Sequence, residues 1–474
     1  MRLTAAEIAD ATGGRVIAGS SAAVADSFSI DSRSLGAGSC FVALVAARDG
    51  HDFVADAFRA GATVALVGRP VELPANRAGG ALVQVADTLG ALATLGGHAR
   101  DRVGEATVVG ITGSAGKTVT KDLLAAALRP ARRVTASPVS FNNEAGVPLT
   151  LLGAEPDTEV VVVEMGARFA GNIRDLCAIA RPGVGIVTNI GLAHAGLLGG
   201  ASGIAAVKAE LLEALPADGL AVLDATDVHT PALAGRTRAR VVRIATQATH
   251  DADVSVRALM LDDELRPSFE LVTPVGAVPV RLQVRGAHQV MNAAMAGAVA
   301  AELGVPLSEV AEGLGRAEAA PGRMQLARTP HGVTVLDDTY NASPTSTEAA
   351  LRALAALPVD GRRFAVLGEM RELGPEADDA HREVGRLATE LGVDVIVVGH
   401  ASRHIAVGAR AAGTTAAVEV DDADAAITAA AERLTPGDAV LVKASRAVGL
   451  DRVAAALLGN AIPKGAGLDG AGRA

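Results

Sequence analysis

Gly110-Ile111-Thr112-Gly113-Ser114-Ala115-Gly116-Lys117-Thr118 decides how this chain is read. Val108 and Val109 in front of it read as the end of a buried strand. Lys117 to Leu128 behind it reads as a helix, with Leu123, Leu124 and Leu128 on one side. A glycine-rich turn at such a junction aims backbone N–H groups at one point, where the helix dipole also favours an anion. Lys117 adds a full positive charge for outer phosphates, and the Thr118 hydroxyl is suited to holding Mg²⁺. The usual template, G-x-x-x-x-G-K-S/T, fails at its first glycine, because Ile111 stands there. The alternative is a Gly-Lys-Thr tripeptide at an ordinary turn. The flanking strand and helix supply the context that the motif demands, so Thr112, Gly113, Ser114, Ala115, Gly116, Lys117 and Thr118 are read as a phosphate loop.

A length of 474 residues predicts roughly three domains at about 150 residues each. Half the residues are hydrophobic, yet there is no Trp and a single Tyr, so the cores must be built from Ala, Val and Leu. The net charge of −10 and the lack of a long basic run argue against a nucleic-acid partner. Cys40 and Cys177 are too few for a disulfide framework. Glu7 and Asp10 stand where a signal peptide needs an apolar run. Apolar stretches such as Ala293 to Ala301 fall short of the ~20 residues that span a bilayer. The expectation is a cytoplasmic protein without membrane insertion.

Thr4-Ala5-Ala6-Glu7 is a capping-box pattern opening a helix that closes at Gly13-Gly14. Strand-like stretches Phe28 to Arg33, Cys40 to Val45 and Thr63 to Val67, with a helix Phe53 to Ala60, make a small α/β domain over residues 1–87. Ser32 and Arg33 are either turn residues or contacts for an anionic ligand. A helix, Thr88 to Arg102, leads into a second domain, 88–321. There, strand and helix patterns alternate, and the strands are continuous apolar runs. Such runs predict a parallel sheet covered on both faces, with ligands at the strands' carboxyl ends. Glu164 follows Val160-Val161-Val162-Val163 at such an end, where a carboxylate is suited to Mg²⁺. Asn189 and His194 follow Ile186-Val187-Thr188.

The helix Gly203 to Leu215 carries Ile204, Val207, Leu211, Leu212 and Leu215 as its apolar stripe, and Lys208 falls inside it. Either Lys208 snorkels to water, or it faces the core and its pKa falls. In the second case it is a neutral amine able to take up CO₂ as a carbamate. Residues 252–284 read as short strands forming an antiparallel extension of the sheet. Two helices follow, one opened by Gly286-Ala287-His288-Gln289-Val290-Met291-Asn292. Pro321-Gly322-Arg323 breaks the pattern. The third domain, 322–460, is read as doubly wound and Rossmann-like, without a G-x-G-x-x-G fingerprint. It places Asp337-Asp338 at the end of its first strand and Lys443-Ala444-Ser445-Arg446 at the end of its last. The glycine-rich tail, 461–474, is expected to be disordered.

With these motifs, the chain resembles the ATP-dependent Mur ligases of peptidoglycan synthesis over nearly its whole length. That family's variant loop is Thr-Gly-x-x-Gly-Lys-Thr, so Ile111 is no defect. The resemblance implies ATP, two Mg²⁺ ions and a carbamylated Lys208, with Thr118, Glu164, His194 and Lys208 as metal ligands. Lys117, His194 and Lys208 would be catalytic. Asn292 would contact adenine, Arg323 the nucleotide phosphates and Asp338 the ribose, with Asn341 beside them. Asn142 and Asn143 would lie near the sugar-peptide, Ser32 and Arg33 would hold its UDP, and Lys443, Ser445 and Arg446 the acceptor. Ser343 stands where the family usually has Asn, and Gln289 where Asn is common.

Asp337-Asp338-Thr339-Tyr340-Asn341-Ala342-Ser343-Pro344, and the missing Asp-Asn-Pro-Arg of the diamino-acid-adding sister, imply two substrates. These are UDP-N-acetylmuramoyl-tripeptide and D-alanyl-D-alanine, joined by a monomer. The alternatives are the sister ligase, a folylpolyglutamate-synthase-like ligase, or a non-enzymatic nucleotide switch.

Overall fold

The computed structural model describes residues 1–74, 79–191, 195–198, 200–247 and 251–459. His194 and the tail 461–474 lie outside the described residues. Near the N-terminus the capping box forms as read. The Thr4 side chain accepts from the Glu7 amide, the Glu7 carboxylate accepts from the Thr4 amide, and helix Ala5–Thr12 closes on Gly13 at φ 64°. A five-stranded sheet follows, in the order Arg15–Gly19, Ala81–Gln84, Ala62–Val67, Ser39–Val42, Ser27–Ser29. Only its first pair is antiparallel. The edge strand Arg15–Gly19 and its neighbour Ala81–Gln84 are absent from the sequence reading, because neither has a long apolar run.

A nine-stranded sheet occupies the middle of the chain. Its order is Gly276–Arg281, Pro267–Thr273, Val254–Leu261, Arg240–Ala245, Leu220–Asp224, Val184–Val187, Thr107–Thr112, Val160–Glu164, Val134–Ala136. Pro267–Thr273 runs antiparallel to both its neighbours, Val254–Leu261 and Gly276–Arg281, and the other pairs are parallel, so the predicted antiparallel extension is present. The continuous valine runs have a simple physical cause. Successive residues face opposite sides, and both sides are covered. Val109, Ile111, Val160 and Val162 join one core, with helices Lys117–Leu128 and Gln289–Glu302. Val108, Val161 and Val163 join the other, which runs on through helix Thr88–Arg102 to Val64 and Leu66 of the five-stranded sheet.

The last sheet has six strands, in the order Gln325–Arg328, Thr334–Asp337, Ala439–Lys443, Arg363–Leu367, Val393–Val398, Val418–Val420. It is parallel except for the first strand, and separate cores cover its two faces, giving the doubly wound arrangement. Among the described residues no helix is long and apolar enough to cross a membrane.

Candidate active site

Strand Thr107–Thr112 and helix Lys117–Leu128 hold the glycine-rich loop between them. Gly113 sits at φ 144° and Gly116 at φ 82°, and a Cβ on Gly116 would lie 2.6 Å from Asn292 Oδ1, so both positions require glycine. The loop is braced from the neighbouring strand end. Ala115 N donates to Asn189 Oδ1 (3.0 Å), Ser114 N to Asn189 O (3.1 Å), and Thr188 Oγ1 to Ala115 O (2.6 Å). The Ser114 and Ala115 amides are therefore engaged by Asn189, and the N–H groups of the helix's first turn are the ones left to meet an anion. Lys117 Nζ donates to Gly113 O at 2.8 Å. Burial pushes the Lys117 ammonium down, Glu164 opposes that, and Arg323 adds to it.

Thr118 is the meeting point. Its hydroxyl donates to Glu164 Oε2 (2.8 Å) and accepts from Arg323 Nη2 (2.9 Å), which comes from the start of the six-stranded-sheet region. The other carboxylate oxygen, Glu164 Oε1, accepts from Asn142 Nδ2 at 2.8 Å. Asn143 Oδ1 accepts from Gly146 N at 2.9 Å, at the start of helix Gly146–Leu152. Arg323 follows Gly322 (φ 68°) and precedes Met324 (φ 51°), two left-handed residues at the crossing between sheets. Thr112 Oγ1 and Arg323 Nε are buried without a hydrogen-bond partner among the described residues. Orphan donors beside a cationic, glycine-rich turn fit a phosphorylated ligand.

Glu164 and Thr118 present oxygens, the donor type that Mg²⁺ requires. Among the described residues no group of three or more His, Cys, Asp and Glu is placed to hold a metal. Lys208 lies within electrostatic reach of Lys117. It is 2% exposed, on helix Gly200–Glu213 among buried Ile204, Val207, Leu211 and Leu212. Snorkelling is thereby ruled out. Burial, with a smaller contribution from Lys117, pushes its pKa down to about 7 against the pull of Glu210. Glu210 itself accepts from Gly171 N (2.6 Å) and Arg174 N (3.0 Å), capping helix Asn172–Ala180.

On the far side of the loop, Asn292 Oδ1 accepts from Thr120 Oγ1 (3.2 Å), and Asn292 Nδ2 donates to Gln289 Oε1 (2.7 Å). Gln289 thus links Asn292 to His288. Ser343 has an equally plain role, since it N-caps helix Pro344–Ala356. Asp338 Oδ1 accepts from Met324 N at 3.2 Å, and Oδ2 is ion-paired with Lys443. Lys443 is buried and also donates to Asn341 O at 2.8 Å; Ser445 is buried and accepts from Arg371 N at 2.9 Å. Of the three acceptor residues read from the sequence, Arg446 alone keeps a largely exposed side chain.

Ser32 and Arg33 lie on the N-terminal wall, with Arg33 forked onto Asp31 through two 2.9 Å bonds. Of the site residues read from the sequence and lying among the described residues, all but Thr112, Gly113 and Lys208 line one cleft of about 3940 Å³, drawn from all three large sheets. The sequence reading missed several of its residues. Among them are His51 and Arg69, which converge on Asp49. It also missed the roles of Lys121, Ser140 and Tyr340, although Tyr340 is the chain's single tyrosine.

Residues 111–300 match the Mur ligase middle domain, and residues 322–446 the Mur ligase, glutamate ligase domain. The UDP-N-acetylmuramoyl-tripeptide–D-alanyl-D-alanine ligase of Mycobacterium tuberculosis is 44% identical over 97% of this chain and 98% of its own. The Escherichia coli ligase of the same name is 33% identical, over 92% and 94%. Among solved structures, MurF from Acinetobacter baumannii superposes with a TM-score of 0.84 at 30% identity, covering 97% of this chain and 99% of that one. MurF from Thermotoga maritima in complex with ADP gives 0.73 at 31% identity, covering 90% and 96%.

Proposed function

This chain belongs to the Mur ligase family, and we propose that it joins D-alanyl-D-alanine to UDP-N-acetylmuramoyl-tripeptide at the expense of ATP. That reaction is the last cytoplasmic peptide addition to the peptidoglycan precursor. The observation that carries the reading is the junction at Thr118. There Glu164 and Arg323, from two different sheet regions, meet the phosphate loop inside one cleft.

The tripeptide carboxylate attacks the γ-phosphorus of ATP, giving an acyl phosphate and ADP. The amine of D-alanyl-D-alanine then displaces phosphate. Phosphoryl transfer needs positioning and charge neutralisation more than a covalent catalyst. Lys117 and Arg323 supply fixed positive charge at the loop, and Asn142 orients the Glu164 carboxylate. Two Mg²⁺ ions, held by Thr118, Glu164, His194 and a Lys208 carbamate, would neutralise the phosphate oxygens further. Burial lowers the Lys208 pKa to about 7, which makes available the neutral amine, the form able to bond to CO₂.

The remaining assignments follow the walls of the cleft. Residues 1–87 take the UDP-sugar-peptide, with Ser32 and Arg33 on its UDP. Residues 88–321 take ATP, with Asn292 on adenine. Residues 322–460 take the dipeptide, with Asp338, steadied by Lys443, on the ribose of ATP and Arg446, exposed and held 3.8 Å from Asp451, meeting the acceptor carboxylate. Ser445, with Lys443, shapes the wall behind it. Because one chain supplies every wall, it acts as a monomer, in the cytoplasm where its substrates are made.

The purified protein is tested with ATP, Mg²⁺ and UDP-N-acetylmuramoyl-tripeptide. ADP should be released when D-alanyl-D-alanine is added and far less with a free diamino acid. Better turnover with UDP-N-acetylmuramoyl-dipeptide and a diamino acid would transfer the assignment to the sister ligase. Release indifferent to both carboxylate and amine would mark a nucleotide switch.

A further inference from the structure

We propose that Tyr340 is a positioning residue, which fixes Arg323 on the phosphate loop when the six-stranded-sheet region docks against the nucleotide sheet. Its ring lies under the Arg323 guanidinium, with Cζ 4.0 Å from the ring centroid, and its hydroxyl is hydrogen-bonded to Ser140 Oγ. An aromatic face holds a guanidinium electrostatically while leaving the N–H groups at its edge available. Arg323 Nη2 uses that edge to donate to Thr118 Oγ1 at 2.9 Å.

Ser140 belongs to the nucleotide-sheet side, and its loop is tied down. Buried Lys121 donates to Ser137 O (2.7 Å) and Val139 O (2.9 Å), the carbonyls on either side of Pro138. Val139 holds φ 46°, a left-handed conformation that a β-branched residue rarely adopts and that persists only where its surroundings impose it. Lys121 stands on the same helix as Thr118, one turn further on.

The contacts therefore close a ring, from Thr118 to Arg323, Tyr340, Ser140, Lys121 and back along the helix. Two of its links cross between the sheets, Arg323 to Thr118 and Tyr340 to Ser140. With the first crossing alone, Arg323 could swing about Gly322 and Met324. The second crossing fixes the platform on which it lies. Arg446, on the acceptor side, is 6.0 Å from the same ring, so Tyr340 stands between the phosphate and acceptor ends of the cleft.

The inference rests on the ligase reading of the cleft, which the wild-type assay above tests separately. Steady-state kinetics of the full chain decide it. Ser140→Ala and Tyr340→Phe should each lower kcat about five- to tenfold, the worth of one hydrogen bond, with KM for ATP within about twofold of wild type. The double variant should be no slower than either single one, because both remove the same contact. Tyr340→Ala, which also loses the ring, should be slower still.

A second readout does not depend on that last variant folding. With one Tyr and no Trp in the chain, tyrosine emission reports on Tyr340 alone. Adding ADP and the nucleotide-sugar peptide should change the emission of the wild type and not of Ser140→Ala. Single effects that multiply in the double variant, wild-type kcat in Tyr340→Phe, or an emission change that survives in Ser140→Ala would each overturn the proposal.

Discussion

Gly196 and Gly374 meet backbone against backbone: a Cβ on Gly196 would lie 2.5 Å from Gly374 Cα. Gly196 belongs to the segment between strands Val184–Val187 and Leu220–Asp224 of the nucleotide sheet and Gly374 to the six-stranded-sheet region, and Gly196 N donates to Glu372 O at 3.3 Å. The seam closes only because neither residue has a side chain. Gly196→Ala should therefore leave both cores intact and oppose docking. Overpacking costs about 1–3 kcal/mol, which would lower turnover by roughly 10- to 100-fold. ADP release and a thermal melt measured together check this. Normal turnover would show that the seam does not matter to the reaction.

Lys117→Ala removes a charge aimed at the transferring phosphoryl group. Turnover should fall by on the order of 10²-fold or more, as for other preorganised electrostatic stabilisers. Its Nζ bonds one loop carbonyl at the cleft wall and packs in neither core, so the melting temperature should barely move. An ADP-release assay returning near wild-type rates would remove this loop from the catalytic machinery.

The central fold was legible because the apolar runs Val160 to Val163 and Val184 to Val187 are buried on both sides, so composition alone marks them as interior parallel strands. Strands Arg240–Ala245 and Val418–Val420 were not legible, since Arg240, Arg243 and Glu419 leave only short apolar runs in them. The phosphate loop and Glu164 could be read because their chemistry sits within a few residues of a strand end. Arg323 on Thr118 and Lys443 on Asp338 join positions 205 and 105 residues apart, and no local pattern encodes such pairings. Lys208 was visible as an anomaly, a charge in an apolar stripe, but only its packing separates a buried amine from a snorkelling one.

His381 carries a pH dependence that does not involve the active site. It is 1% exposed; the Met370 amide donates to its Nε2 at 3.0 Å, which leaves Nδ1 as the protonated nitrogen, donating to Ala377 O at 2.6 Å. Burial pushes its pKa below the ordinary value of 6.5. Below that pH the unfolded chain takes up a proton that the folded chain refuses, so stability falls as pH falls. His381→Gln should be less stable at pH 7 by about 1–2 kcal/mol through the lost hydrogen bonds. It should also lose less than the wild type between about pH 6.5 and 5. Parallel melting curves across that range would refute the assignment.

Lys208 offers the sharpest test of the metal chemistry. Its amine is 2% exposed and its pKa is pushed down to about 7, so near neutral pH a large fraction is unprotonated and able to bond to CO₂. The carbamate would place a negative charge at the end of the Lys208 side chain. Lys208→Ala should then be nearly inactive, because the charge and the arm that bears it are both gone. Short carboxylic acids should restore part of the rate, since the cavity left by the side chain admits a carboxylate in place of the carbamate. Folding should survive, because replacing a buried amine with an apolar group removes a desolvation cost as well as packing. Wild-type protein stripped of CO₂ should lose rate and recover it with bicarbonate. Full ADP release by Lys208→Ala, in the presence of Mg²⁺ and both substrates, would sink the carbamate role whatever the added acids do.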